Sequence, residues 1–378
     1  MRRVVAATLE IVPGLAVAVG VMLLADRVAH WLGAGLLRLE GLDPAGRSSP
    51  ISGISMAIVL GLLAANTIGT AAVLRPGLAF AVKRMLRLGI ILVGIRLSFL
   101  DVLKLGAWGV PVVATIILVA LVVTIAFARA IGLSDRLGTL AAASTAICGV
   151  TAALSVGPVI EAEESEVAYT VANVTLFGLF AMLTYPYLAH ALFGASSGSV
   201  GLFLGTGIHD TSQVLGAALS YKDIFRDERA LQVATVTKLT RNVFLVAVVP
   251  ALAYLHVRRT GHAGTRVNVA RLFPVFVLGF LAMAVVRSVG DASLASGGRA
   301  LGVWDGAAWQ RATKMLGEEW GSAALGTAMA GVGLSTNLKS FRRMGVKPFY
   351  VGAISAALVG VLALLLASII GPRLSVGA

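Results

Sequence analysis

The stretch LQVATVTKLTRNVFLVAVVPALAYL, residues 231–255, has the length and hydropathy of a membrane-spanning helix, yet it contains two cations. Lys238 and Arg241 are three residues apart, so their side chains project from one face of that helix. Each would cost about 2.5 to 3.5 kcal/mol if it faced lipid at the centre of the bilayer. A later helix start would let both side chains reach the membrane surface, but the residues 243–253 that remain are too few to cross a bilayer. We therefore predict that both cations face a polar interior.

The rest of the chain has the composition of an integral membrane protein. Hydrophobic residues make up 58% of the 378 residues and charged residues 13%, against the roughly 25% charged that is typical of soluble domains. Apolar runs of helical length recur along the chain, without the alternation of barrel strands. This pattern predicts an all-α membrane protein with about eleven transmembrane helices, over residues 8–25, 52–72, 85–102, 107–130, 138–158, 167–193, 201–219, 230–256, 272–290, 321–338 and 348–371.

The net charge of +13 comes mainly from Lys and Arg in short loops between these segments. Such loops set the orientation of membrane helices, so we expect no nucleic acid partner. Their distribution favours a cytoplasmic N-terminus, with the acidic run at 161–166 on the outer side. Cys148 is the only cysteine, and we predict a small packing or lining role for it.

Two passages about half the chain apart share a pattern: STAICGVTAALS, residues 144–155, and GTAMAGVGLSTN, residues 326–337. Four identities in one constant register connect them: Thr145 with Thr327, Ala146 with Ala328, Gly149 with Gly331, and Val150 with Val332. The matching segments would be the fifth and tenth spans, so the register predicts two inverted-topology repeats, which are typical of secondary transporters. The corresponding domains are an additional helix and loop at 1–50, a first repeat at 51–200, and a second at 201–378 with an inserted interfacial loop at 288–320.

Both passages favour interrupted helices, because Gly lowers helix propensity and because Ser and Thr offer the backbone other hydrogen bonds. An interruption at membrane depth is stable only where it is buried in protein or lines a cavity. The helix ends would bring backbone amides with partial positive charge to the midplane, which suits an anion. The alternative is that the small residues only allow close helix packing.

A second polar passage, GTGIHDTSQVLGAA at residues 205–218, places five hydrogen-bonding residues in a row between apolar flanks. Asp210 resembles a helix N-cap with Gln213 three residues later, so a discontinuous helix is expected to begin here. Two roles are open for Asp210. It forms a structural ion pair with one of the two cations, or it acts with the titratable His209 as a coupling or gating site for a proton or cation.

Asn66, Arg96 and Asn173 are single polar residues in apolar segments, and each is interpreted either as a packing residue or as part of a polar lining. The segment 304–321 has the tryptophans of an amphipathic interfacial helix. The sequence lacks HExxH, Walker A and strand-associated GxGxxG motifs, and it lacks a Cys or His cluster with metal spacing. We therefore expect no enzyme activity, no cofactor and no metal site.

The passages GLLAANTIG, RLGIILVGIRLSF, STAICGVTAA, GTGIHDTSQV and ATVTKLTRN, in this order and spacing, resemble the YeiH-like bacterial inner-membrane proteins, a family named for sulfate export. The resemblance covers residues 52–372 and implies export of sulfate or a related sulfonate. The interrupted helices are also similar to those of the bile acid and sodium symporter superfamily, in which two discontinuous helices cross. That resemblance implies a crossing of the fifth and tenth spans, close to Thr145, Cys148, Gly149, Thr151, Ser335, Thr336 and Asn337.

Together these observations predict a secondary transporter for a small anion such as sulfate or a sulfonate, working by alternating access in the lipid bilayer. A proton or sodium is the expected coupling ion, and a homodimer is compatible with the sequence. Lys238 and Arg241 would supply charge complementarity. Hydrogen bonds to the substrate are assigned to Asn242, Thr145, Cys148, Gly149, Thr151, Thr211, Ser212, Gln213, Ser335, Thr336 and Asn337.

Two alternatives remain open at this point. A cation/proton antiporter of similar inverted-repeat fold would rely on Asp210 as its buried carboxylate. A membrane enzyme or sensor would use His209 and Asp210 as acid and base, and would need a nucleophile or metal in addition.

Overall fold

The structure is a computed structural model that describes residues 2–39, 42–45, 49–194, 196–260, 268–337 and 346–374. Within these ranges the chain is helical, and the strand pairing is limited to an isolated bridge between Ala300 and Trp304. The expected all-α class is confirmed.

The helices follow one another along the chain, and α3 and α4 are joined by a π-helical turn at Ala81–Met85. In chain order they are α1 (Arg2–Leu39), α2 (Gly53–Thr67), α3 (Arg75–Phe80), α4 (Leu86–Val93), α5 (Phe99–Ala130), α6 (Asp135–Ala146), α7 (Gly149–Val156), α8 (Glu164–Phe193), α9 (Ser197–Gly207), α10 (Thr211–Phe225), α11 (Glu228–Val243), α12 (Leu245–Thr260), α13 (Val269–Leu272), α14 (Phe276–Gly297), α15 (Gly306–Lys314), α16 (Gly321–Ser335) and α17 (Val346–Ile370).

Among the described residues, six helical stretches are long and apolar enough to cross a bilayer. They are Glu10–Leu39, Phe99–Ala130, Glu164–Phe193, Glu228–Arg258, Phe276–Gly297 and Pro348–Arg373. A multi-pass helical membrane protein is therefore confirmed. The predicted number of eleven spans is not confirmed, because several of the predicted segments form helices of 15 residues or fewer.

The chain divides into two compact units, neither of which is continuous in sequence. Unit 1 consists of Met1–Leu103, Leu219–Glu228 and Val275–Leu338, and unit 2 consists of Lys104–Ala218, Arg229–Pro274 and Lys339–Ala378. The predicted repeats over 51–200 and 201–378 are a statement about internal symmetry, which the division into compact units does not test. They stay a prediction.

In unit 1, α2 and α16 cross with their backbones in direct contact. A Cβ atom on Gly61 would lie 2.8 Å from the Ala330 carbonyl oxygen, and one on Gly333 would lie 2.4 Å from the Ile58 carbonyl oxygen. These distances leave no room for a side chain, so the crossing requires glycine on both helices.

The same crossing explains why the passage 326–337 is rich in small residues. α16 continues without a break as far as Ser335, so the predicted interruption is absent up to that residue. The expectation that the tenth span is one of two discontinuous crossing helices is therefore not confirmed, and residues 338–345 lie outside the described residues. The small residues of α16 serve close helix packing, which was the alternative interpretation.

The segment 304–321 contains the expected helix, α15, but its central tryptophan is not a membrane-surface residue. Trp309 is 5% exposed, its indole nitrogen donates a hydrogen bond of 2.7 Å to Asp291, and its ring packs against Gly290. Trp304 and Trp320 at the two ends remain exposed. The segment is thus anchored on α14, which itself extends to Gly297.

Unit 2 contains a helical hairpin, formed by α6 and α7 and called hairpin 1. The helix is interrupted at Ile147 and Cys148 as expected, but Gly149 has a left-handed φ of +51° and the chain reverses its direction there. The two ends of the hairpin therefore lie together. The Ser134 hydroxyl donates to the Glu166 carboxylate over 2.7 Å, and both residues line one cavity of about 630 Å³.

Hairpin 1 corrects two expectations. The segment 138–158 does not cross the membrane, because its two ends lie at the same end of unit 2. The acidic run 161–166 consequently lies on the same side as Ser134, and not on the opposite side.

α9 and α10 form a second hairpin, called hairpin 2, with its tip at residues 208–210. α9 runs parallel to α11, because Gly201 packs against Val233 and Gly205 packs against Thr237. The predicted span 201–219 therefore contains a reversal of the chain at residues 208–210.

α10 runs antiparallel to α11. Near the start of α10, Asn242 donates to the Thr211 hydroxyl over 3.0 Å; near its end, Lys222 pairs with Glu228 over 3.4 Å. A helix begins at Thr211 directly after Asp210, which confirms the predicted start of a discontinuous helix.

The two hairpins approach each other from opposite ends of α8, because hairpin 1 precedes α8 in the chain and hairpin 2 follows it. Both tips reach the middle of α8. A Cβ atom on Gly149 would lie 2.9 Å from the Val174 side chain, and Gln213 donates to the Thr175 carbonyl over 3.2 Å. The tips therefore meet at mid-length of a helix that can span the membrane.

The hairpins also share a sequence pattern. The Thr-x-Ile motif at 145–147 recurs at 206–208. The motif VAxVT follows in both cases, at 171–175 in α8 and at 233–237 in α11, so the distance between the two motifs is nearly the same in both copies. This pairing differs from the predicted pairing of 144–155 with 326–337.

A labelling experiment tests the reversal in hairpin 1. With Cys148 replaced by Ala, the variants Arg136→Cys and Glu164→Cys should react with a membrane-impermeant maleimide from the same side of the membrane, because both hairpin ends lie together. Arg229→Cys, near the start of hairpin 2, should react from the opposite side. Labelling of the first two variants from opposite sides would contradict the hairpin.

A pair of glycine substitutions tests the crossing of α2 and α16. Gly333→Ala should lower the free energy of unfolding by about 1 to 3 kcal/mol, since its methyl group has no space. Gly20→Ala in α1 is the matched control, because no atom lies within 4 Å of the added Cβ, and it should be neutral or stabilising by up to about 1 kcal/mol. Thermal unfolding in detergent measures both, and equal melting temperatures would argue against the close crossing.

Candidate functional site

Lys238 lies on α11 between the two hairpin tips and is 0% exposed. Its Nζ donates hydrogen bonds to three backbone carbonyls, those of Ile147 at 3.0 Å, Ile208 at 3.2 Å and His209 at 2.5 Å. An ammonium group has three N–H donors and a neutral amine has two. The three bonds match the three donors of the charged form.

Arg241 lies one turn further along the same face and is also 0% exposed. Its Nε donates to the Ala146 carbonyl at 2.7 Å, and Nη1 donates to the carbonyls of Thr206 at 2.7 Å and Ile208 at 3.2 Å. Nη2 donates to the Thr145 carbonyl. The guanidinium is thus bonded to backbone through all three of its nitrogens.

Each cation therefore connects hairpin 1 with hairpin 2. The accepting carbonyls belong to the C-terminal ends of α6 and α9, where the helix has no partner for them and carries partial negative charge. Hydrocarbon cannot satisfy such groups, and the two cations do. The prediction that both cations face a polar interior is confirmed. Their direct contact with a substrate stays a prediction, because in this conformation both side chains donate to backbone carbonyls.

Asp210 caps the N-terminus of α10. Its Oδ1 accepts from the Ser212 amide at 2.9 Å and from the Ser212 hydroxyl at 2.5 Å. Its own amide donates to the Gln213 side chain at 3.2 Å, which completes a reciprocal capping arrangement. Gln213 in turn lies against Gly178 of α8, where a Cβ atom would come within 1.9 Å of its oxygen. Ser212 and Gln213 are thus buried parts of the cap.

The other carboxylate oxygen of Asp210 faces hairpin 1. A Cβ atom on Gly149 would lie 3.3 Å from Oδ2, so the absence of a side chain there makes room for the carboxylate. Cys148, the N-cap residue of α7, makes no side-chain capping bond. The carboxylate is therefore adjacent to the starts of α7 and α10, both of which carry partial positive charge.

The accessible rim of this junction is polar. Thr151 on the first turn of α7 is exposed, and Asp210 and Thr211 are partly exposed. Thr211 is joined to the buried Asn242 by a hydrogen bond of 3.0 Å. Hydroxyl groups and a side-chain amide thus lie beside the helix starts, where an anion would be attracted.

Two buried polar atoms at the junction lack a hydrogen-bond partner among the described atoms. They are Oγ of Ser144, one residue before the first accepting carbonyl, and Nδ1 of His209 in the tip of hairpin 2. Both residues are nearly inaccessible, with exposures of 0% and 2%. Unpaired polar atoms in an interior are costly, so a polar species that reached them would be stabilised.

Three predicted site residues, Ser335, Thr336 and Asn337, belong to unit 1, whereas the junction is built within unit 2. The Thr336 hydroxyl donates to its own helix at the Val332 carbonyl, and the Thr336 carbonyl accepts from Asn66 over 2.9 Å. These bonds fix the end of α16. The three residues are therefore not part of the junction that unit 2 forms, and their contact with a substrate stays a prediction.

Arg96 also has a structural role in unit 1. Its Nη1 donates to both carboxylate oxygens of Glu228, at 2.7 and 3.0 Å, and its Nε donates to the Gly317 carbonyl at 2.8 Å. The bonds hold the connection between α10 and α11. They explain a lone arginine in an apolar segment without a substrate.

Asn173 is a packing residue of unit 2. Its amide donates to the Pro348 carbonyl over 2.7 Å, and it lies against Gly352 of α17, where a Cβ atom would come within 2.3 Å. In the described part of the chain, no group of three or more His, Cys, Asp or Glu is placed to hold a metal ion.

Comparisons with known proteins give one family. The model of the family described as "Conserved hypothetical protein 698" matches residues 33–352. Similar proteins are UPF0324 membrane proteins: one of Bacillus cereus is 30% identical over 84% of this chain and 86% of its own length, and one of Nitratidesulfovibrio vulgaris is 29% identical over 95% and 93%. One of Corynebacterium glutamicum is 32% identical over 84% and 85%. No solved structure matches the chain.

Removal of one buried cation tests its role at the junction. Lys238→Met keeps the length of the side chain and leaves the carbonyls of Ile147 and His209 without a donor, so the free energy of unfolding should fall by about 3 kcal/mol or more. Lys104→Met is the matched control, because Lys104 is exposed. Thermal unfolding and the monodisperse fraction after purification measure the effect. Equal stability of the two variants would show that the carbonyls do not depend on Lys238.

Proposed function

The chain belongs to the family of conserved hypothetical protein 698, and on that premise we propose that it is a secondary transporter of a small anion, such as sulfate or a sulfonate, in the bacterial inner membrane. The family assignment confirms the YeiH-like resemblance of its motifs. The relatives are named as membrane proteins, without a substrate in the name. The proposed activity therefore rests on the junction of the two hairpins.

The observation that carries the proposal is the balance of charge at this junction. Lys238 and Arg241 contribute two positive charges and Asp210 one negative charge. The ends of α6 and α9 and the starts of α7 and α10 contribute roughly half a charge each, of opposite sign, and so cancel. One positive charge is left over in an interior where isolated charge is costly. An anionic group at the junction would neutralise it.

The first turns of α7 and α10 are the proposed binding position. Backbone amides at helix starts bind oxyanions, and the hydroxyls of Thr151 and Thr211 and the amide of Asn242 lie beside them. Lys238 and Arg241 would attract the anion electrostatically without contacting it, and their hydrogen bonds would hold the two hairpin tips together. This differs from direct ligation by the two cations.

The arrangement of the hairpins supports transport over catalysis. Interrupted helices whose ends meet near mid-membrane are the usual substrate sites of secondary transporters built from inverted repeats. The hairpins enter from opposite ends of α8 and share a repeated motif, so we propose that hairpin 1 with α8 and hairpin 2 with α11 form such a repeat. A proton or sodium gradient is the proposed energy source.

One observation favours a second candidate, a cation/proton antiporter. Asp210 is a partly exposed carboxylate at a junction of interrupted helices, and such carboxylates carry protons or cations in many membrane proteins. The surplus of positive charge at the same place argues against cation binding, so this candidate is the weaker one.

Flux into proteoliposomes separates the two candidates. Labelled sulfate or a small sulfonate should enter or leave vesicles that contain the protein, and Asn242→Leu should weaken the apparent affinity by about tenfold, the effect of losing one hydrogen bond to a charged ligand. Thr184→Val is a control on the outer part of α8, where the hydroxyl bonds only its own helix. Proton flux driven by sodium or potassium, without anion flux, would favour the antiporter instead.

A further inference from the structure

We infer that the carboxylate of Asp210 lies beside the negative group of the bound anion, so that a divalent anion binds only when this carboxylate takes up a proton. The inference rests on the proposed function, and it assigns a role to Asp210 that burial or capping alone would not require.

The two carboxylate oxygens of Asp210 lie between the starts of α10 and α7. Oδ1 is held by Ser212, at 2.9 Å from its amide and 2.5 Å from its hydroxyl, and so belongs to α10. Oδ2 faces the start of α7, beside Gly149, where the N-cap residue supplies no side-chain acceptor. The carboxylate thus lies where the amide ends of both helices attract negative charge. A second anion at this place would meet a like charge.

The charged and titratable groups around Asp210 determine which of them can take up a proton when an anion binds. The titratable or charged groups near Asp210 are Cys148 in the tip of hairpin 1, the adjacent His209, and Lys238 and Arg241 on α11. The segment of α8 that packs here supplies Val174 and Thr175, which do not titrate. Lys238, Arg241, His209 and Cys148 are all buried, whereas Asp210 is partly exposed at the rim. A proton can therefore reach the Asp210 carboxylate, and we assign to this carboxylate the compensation for the arrival of an anion.

The charges also match. With Asp210 ionised, the junction has one surplus positive charge; with Asp210 protonated it has two. Inorganic sulfate keeps two negative charges near neutral pH, so it is balanced only by the protonated form. Sulfate and one proton would then bind together, and a proton gradient would drive sulfate in the same direction as the proton.

Calorimetric titration of the purified full chain with sodium sulfate tests this step. In buffers of different ionisation enthalpy, the wild type should take up about one proton for each sulfate bound. Its affinity for sulfate should rise as the pH falls from about 8 to about 5, because one proton is bound with each sulfate. The affinity rises at lower pH, and not at higher pH, because a proton is taken up together with the sulfate.

Asp210→Asn removes the titratable group and keeps a side-chain oxygen that can cap α10. This variant should bind sulfate without proton uptake, with an affinity that is nearly constant across the pH range and exceeds that of the wild type at pH 8 by about tenfold or more. A melting temperature close to that of the wild type would show that it is folded. Asp43→Asn, in an exposed loop, should behave like the wild type.

The outcomes separate this inference from the proposed function. Sulfate binding by the wild type without proton uptake, or unchanged pH dependence in folded Asp210→Asn, would overturn the inference and leave anion transport in place. If neither sulfate nor a small sulfonate binds to the wild type or to the variant, the proposed function fails and this inference fails with it.

Discussion

Two interrupted helices leave their carbonyl ends in an interior that water does not reach, and the need to satisfy these carbonyls is the constraint on which unit 2 depends. The chain after α6 and after α9 presents carbonyl groups of residues 145–147 and of 206, 208 and 209 to one place, and hydrocarbon offers them nothing. Cations satisfy them best, because a helix C-terminus carries partial negative charge. Lys238 and Arg241 supply these cations from α11, which is uninterrupted at this point and so can hold both side chains in place.

Other features of the junction follow from these two charges. A pair of cations in an interior calls for a counter-charge, and Asp210 lies close enough to act on Lys238 electrostatically without displacing a carbonyl from it. Gly149 is needed twice, for the left-handed turn that reverses hairpin 1 and for the space that the Asp210 carboxylate occupies. Gly178 makes the corresponding space for Gln213 on α8. The junction is therefore a set of mutually dependent positions rather than a collection of separate ligands.

The sequence predicted the features that follow from the free-energy cost of exposing charged groups to lipid. It did not predict the direction that the chain takes after each helix break. The burial of Lys238 and Arg241 was predictable, because lipid exposure of both is prohibitive. The break at Ile147–Cys148 and the helix start after Asp210 were predictable from local chemistry. The reversal of the chain was not, since a glycine in a polar break is compatible with a kink as well as with a turn back. The match of 144–155 with 326–337 stays a prediction as a repeat, and it gave no indication that α16 uses its small residues for a backbone crossing with α2. The Thr-x-Ile motif, repeated at 206–208 and followed in both copies by VAxVT, is the sequence signal for the proposed pairing of the two hairpins.

The shared hydrogen bonds also restrict how the site can open. Arg241 is bonded to Thr145 and Ala146 of hairpin 1 and to Thr206 and Ile208 of hairpin 2, so the two tips cannot separate without stripping donors from one of them. The loss of even one buried bond to a charged group costs about 1.5 to 3 kcal/mol, and each tip holds several. A motion that keeps the hairpins, α8 and α11 together avoids this cost. Access to the junction is therefore expected to change through movement of these elements as one body, with only the rim at Thr151 and Thr211 changing its surroundings.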